Sequence, residues 1–249
     1  MLVTALGVLG AGVYLLGDPG RLLAALHAPG DSAQQGGLLL ALTTVVAVFA
    51  GTLEGVAAPS QRARLTQATL PVLLTAGFFL VGPVLPQGWP VWLPVAGLAI
   101  ALPLSLLSAM APDVDFLHRP GARSVHLSLI YITAFVIFSG LSGSSAGPVL
   151  VLPAIGVAAA ILASLPGHGM DRMSALVIGL VTAQCAAVLA FWTLPVIAAG
   201  LLLLTVFYVS AGLLAADAGG RLHANLVAEY TLVGIAALAI VVGVALHAR

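Results

Sequence analysis

Residues Pro90–Gly143 read PVWLPVAGLAIALPLSLLSAM, then APDVDFLHRPGARSVH, then LSLIYITAFVIFSGLSG. Two long apolar runs flank one connection, Ala111–His126, in which Asp113, Asp115, His118, Arg119, Arg123 and His126 are crowded together. Runs long enough to cross a bilayer, separated by short polar connections, recur along the chain, and that alternation decides the class. The expected fold is an all-α polytopic membrane protein forming a single transmembrane helical domain over residues 1–249.

Composition agrees. Only 6% of the 249 residues are charged and 61% are hydrophobic, whereas a soluble domain carries roughly 25% charged residues. Eight acids balance eight basic residues, so no basic surface points to nucleic acid. All eight basic residues are arginine. The lack of lysine excludes a lysine Schiff base and a P-loop lysine. Cys185, the single cysteine, excludes an internal disulfide and a multi-cysteine metal site, and reads as a small buried apolar residue.

The apolar runs are Met1–Gly17, Gly37–Ala58, Thr69–Pro86, Pro90–Met110, Leu127–Gly143, Pro148–Pro166, Ala175–Leu194, Pro195–Ala216 and Val227–His247. They predict about nine transmembrane helices, or eight if the first is interfacial or the Leu194–Pro195 junction lies within one span. The first run has no Lys or Arg before Arg21 and reads as a retained helix rather than a signal peptide. Short turns at Gln87–Trp89 and Ser144–Gly147 predict mostly antiparallel hairpins.

Arginine counting sets the orientation. Arg62, Arg64, Arg119, Arg123, Arg172 and Arg221 fall on one side, Arg21 and Arg249 on the other. The six-to-two bias predicts a multi-pass protein of the cell inner membrane, with a cytoplasmic N-terminus and an external C-terminus. Trp89 and Trp92 then sit at the outer aromatic belt.

Two carboxylates lie within apolar runs, Glu54 and Glu229. An acid in a span normally faces the bundle interior or an aqueous cavity, although near a helix end it can instead snorkel or pair with arginine. Glu54 lies between Gly51 and Gly55, a spacing that permits close helix approach. Asn225 and Glu229 are one helical turn apart, with Tyr230 adjacent and His223 just before the run. Glu54, His223, Asn225, Glu229 and Tyr230 are therefore the expected ligand-binding set, lining a polar vestibule that faces the cytoplasm.

The opening connection supplies a second candidate. Asp113, Asp115, His118 and His126 are suited to a divalent metal (Zn, Mn or Mg), with Asp113, Asp115 and His126 as the expected ligands and His168, Asp171 and His223 in neighbouring connections. Asp113 and Asp115 also fit ordinary helix caps and turns.

The order Pro112-Asp113-x-Asp115, His118-Arg119, His126-x-Ser128 resembles a motif of inner-membrane metal hydrolases, and the resemblance implies metal ligation by Asp113, Asp115 and His126. It covers about sixteen residues, and the eight-residue step from His118 to His126 departs from that family's compact element. Gly140-Leu-Ser142-Gly143 resembles the Gly-x-Ser-Gly of rhomboid proteases, but the expected topology puts Ser142 on the opposite side from His168 and His223. Without a base the serine is not activated, and a small-residue turn is the reading. Arg119-Pro120, Gly167-His168 and Arg221-x-His223 resemble the phosphate-binding blocks of membrane phosphatases, with Pro166 where those have serine.

Three functions follow as expectations. The first is a transporter or a lipid- or small-molecule-binding protein using the vestibule. The second is a metal-dependent membrane enzyme acting on a lipid or isoprenoid at the cytoplasmic leaflet. The third is a subunit of a larger membrane complex. The expected partners are the lipid bilayer, a lipid or small-molecule ligand, and further copies of the chain or neighbours in a membrane complex.

Overall fold

The computed structural model describes residues 61–81, 97, 100–101, 104–105, 120–144, 146–165, 170–192 and 194–247. All regular structure among them is α-helical: α1 (Gln61–Val81), α2 (Pro120–Ser142), α3 (Pro148–Ala163), α4 (Arg172–Leu189), α5 (Val196–Ala218) and α6 (Ala224–His247). Four of these, α2, α4, α5 and α6, are long and apolar enough to cross a membrane. Apolar runs Met1–Gly17 and Gly37–Ala58 lie outside the described residues, and of Pro90–Met110 only positions 97, 100, 101, 104 and 105 lie within.

Four helices, α1, α2, α4 and α6, start before their apolar runs do. α2 begins at Pro120, so Arg123 and His126 are helical rather than part of the connection. Proline suits the first helical position because its fixed φ fits and its missing N–H would be unpaired there anyway. α1 likewise begins at Gln61 and takes in Arg62 and Arg64. The Leu194–Pro195 junction is a true boundary: α4 ends at Leu189, and backbone bonds such as Phe191 N to Val188 O (3.2 Å) turn the chain before α5 starts after Pro195. At the other hairpin, Ser144 Oγ donates to Leu141 O (2.8 Å) and closes α2. Gly147 then caps α3, with Pro148 as its first residue.

Asp171 is the N-cap of α4, its carboxylate accepting from Ser174 N at 3.1 Å. Hydrogen bonds from Ser174, side chain first and backbone second, hold its carboxyl below the usual carboxylate range. A depressed carboxyl stabilises the fold above its unfolded value and stops doing so as pH falls through the folded one. Asp171→Ala should therefore lower the thermal midpoint in detergent at neutral pH, and the gap should close in acid below the ordinary carboxylate range of about 4. A gap that is the same at both pH values contradicts the capping role.

Helices α2, α3, α4 and α5 make a closed circuit, each packing on the next and α5 on α2; α1 lies against α2, and α6 against α5. Phe138, Phe207, Ile130, Ile155, Leu162, Ile178 and Leu203 are fully buried at its centre. Association inside a bilayer gains little from apolar burial, so close packing must hold the helices together. Small residues provide it. A Cβ on Gly156 would lie 3.0 Å from Ala183 Cβ and 3.1 Å from Gly179 O, bringing α3 and α4 to backbone contact. The buried hydroxyls of Thr75, Thr133 and Thr182 each donate to the carbonyl one turn earlier at 2.7–2.8 Å, so they cost the core little.

Candidate functional site

The rim at which α2 begins, α5 ends and α6 begins holds a hollow of about 340 Å³. α2 contributes Arg123, Leu127 and Tyr131, a stripe at helical spacing. α5 contributes Ala211, Gly212, Ala215 and Ala216, and the connection with α6 adds Arg221, His223, Leu226 and Tyr230. Among the described residues no carboxylate lines it.

The connection is placed by a backbone motif. Gly220 has φ +62°, a left-handed conformation in which a side chain is strained. It lets Arg221 N donate to Ala216 O (2.9 Å) and Gly220 N to Asp217 O (2.8 Å), the paired bonds of a Schellman cap. The chain reverses within this cap and sends Arg221 back along α5. Its guanidinium crosses Gly219, where a Cβ would lie 3.1 Å from Nε.

Tyrosines form one wall. Tyr131 and Tyr208 meet edge to face at 5.4 Å between centroids, and Tyr208 meets Tyr230 at 5.5 Å. Tyr131 also packs on Phe207 at 6.0 Å, which in turn packs on Phe138, so the wall is anchored to the fully buried core. Edge-to-face pairs are each worth about 1 kcal/mol beyond simple burial. Gly212 makes the wall fit, because a Cβ there would occupy the place of the Tyr230 ring and hydroxyl.

Of the ligand-binding residues read from sequence, His223 and Tyr230 line the hollow. Asn225 and Glu229 lie on the same helix but are exposed and outside the lining. Successive residues turn by about 100° around a helix, and the face toward α5 carries Leu226 and Tyr230, one position further on. Glu54, Asp113, Asp115 and His168 lie outside the described residues. His126 lies on α2, 8% exposed, one position off the stripe Arg123, Leu127 and Tyr131. Among the described residues no group of three His, Cys, Asp or Glu side chains could hold a metal. Asp171, a neighbour in the metal reading, is occupied as a helix cap.

Arg123, Arg221 and Tyr131 are lining residues that sequence reasoning does not select as ligands. The arginines serve there to orient the chain, and Arg221 enters further only through the resemblance to phosphate-binding blocks. Their shared feature, a position within a few residues of an apolar run on one membrane side, is readable; their convergence is not.

Neither a curated protein nor a solved structure matches the chain. Residues 29–244 match the family model described as Protein of unknown function (DUF5656), and the chain, matched over most of its length, belongs to that family.

Proposed function

We propose that the protein is a membrane-embedded lipid- or small-molecule-binding protein whose vestibule, between α2, α5 and α6, receives an anionic group. The supporting observation is the convergence of Arg123 and Arg221, from separate elements, on one hollow that also takes His223, Tyr131 and Tyr230. Its volume, about 340 Å³, falls at the lower end of ligand pockets. Arginine presents a planar fork of donors suited to carboxylate and phosphate oxygens. The six-to-two arginine bias supports a cytoplasmic opening. A transporter would use the same vestibule as its inward-facing site.

Native mass spectrometry of the full chain in mild detergent tests the reading. Bound anionic lipid or metabolite is expected on the native protein. Arg123→Gln with Arg221→Gln should weaken retention by about 100-fold, since hydrogen bonds to charged groups contribute ~1.5–3 kcal/mol each. Both side chains are exposed, so the fold should survive. Retention that is unchanged in the double variant refutes the site.

A further inference from the structure

The connection between α4 and α5, residues 190–195, lies at the end of the bundle opposite the arginine rim. Its sequence, AFWTLP, holds no ionisable residue, and the chain carries no charge between Arg172 and Asp217. Phe191 is 89% exposed and Trp192 53%. α3 starts at this same end, because α4 returns along it with Gly156 against Gly179. The first turn of α3 presents Val149 and Leu150, 82% and 70% exposed. Four large apolar side chains are thus bare at one end of the molecule, where a connection surrounded by water would carry polar residues.

A segment that leaves water must supply its own hydrogen-bond acceptors, since lipid tails offer none. This one does. Ala190 N donates to Ala186 O (2.9 Å), Phe191 N to Val188 O (3.2 Å), Trp192 N to Leu189 O (2.9 Å) and Leu194 N to Trp192 O (2.8 Å). Pro195 has no N–H to satisfy. Helix length points the same way. The 18 residues of α4 cover ~27 Å and the 16 of α3 ~24 Å, against a hydrocarbon core of ~30 Å. With Arg172, the first residue of α4, in the headgroups at one surface, the connection falls at the far edge of the core rather than beyond it. We infer that residues 190–195 are immersed in the leaflet opposite the arginine rim. Phe191 meets the upper segments of the acyl chains, and Trp192 lies just beneath the headgroups, the depth that suits its amphipathic ring. Val149 and Leu150 extend the lipid contact onto α3. This contact is independent of what the hollow binds.

The full chain and its Trp192→Phe variant should be reconstituted in lipid nanodiscs, whose two faces are both open to water. The substitution keeps an aromatic ring at an exposed position, so the fold should survive. Subtracting the variant's tryptophan emission from that of the native chain isolates Trp192 without disturbing Trp89 or Trp92. Phosphatidylcholine brominated high on its acyl chains is expected to quench most of that difference signal, and aqueous iodide to leave most of it. Whichever quencher removes more decides: the brominated lipid upholds immersion, and iodide overturns it. A difference signal that neither quencher reduces also overturns it, because protein rather than lipid then covers the connection.

Discussion

Gly200→Val should cost about 3 kcal/mol of stability and lower the thermal midpoint in detergent accordingly. Gly200 lies on α5 against α2, where an added Cβ would meet Ser139 Oγ and lie 2.9 Å from Ser139 Cβ and 3.0 Å from its Cα. The last of these is backbone, so no rotamer change relieves the crowding and the two helices must separate. Their separation would also loosen the Phe138–Phe207 pair beside them and open the core where both rings are fully buried. Gly234→Val is the control, because a Cβ at Gly234 meets nothing within 4 Å. Equal losses in the two variants would show that valine, rather than crowding, is responsible.

The second large effect falls on binding rather than stability. At Gly212 the added atom meets the Tyr230 ring and hydroxyl, and that ring ends a side chain that can swing outward. The expected cost of Gly212→Val in stability is only about 1 kcal/mol. The hollow, however, loses Tyr230 and gains a branched side chain in its floor. Retention of anionic ligand in native mass spectrometry should fall at least tenfold, roughly the loss of one hydrogen bond to a charged group. The opposite pattern, a collapsed midpoint with ligand still held, would mean that Tyr230 cannot move and takes no part in binding.

These two glycines show where sequence reasoning stops. Both read simply as small residues in apolar runs. Whether the neighbour across the interface is backbone or a movable ring depends on helix order, which hydropathy does not encode. The membrane class, by contrast, is legible from apolar run length, and the start of α3 at Pro148 coincides with its run. Hydropathy sets the starts of α1 and α2 too late, because an apolar window ends where the polar residues begin, while the helix continues through Arg123 and His126. His223 and Tyr230 are legible as polar residues at a helix start. Asn225 and Glu229 meet the same criterion, and only the position of α5 distinguishes the two faces.

The cap at Gly220 also settles where the chain can be lengthened. Its paired bonds count residues: Arg221 N reaches Ala216 O only because the intervening number is fixed. One inserted residue would break that count and carry Arg221 and His223 around and away from α2 together. Among the described residues of the α2–α3 turn no such paired cap occurs, and at Gly147 an added side chain meets nothing within 4 Å. An epitope or a fluorescent label belongs there, at the far end of α2 from the arginines, where it can report on the protein without altering its vestibule.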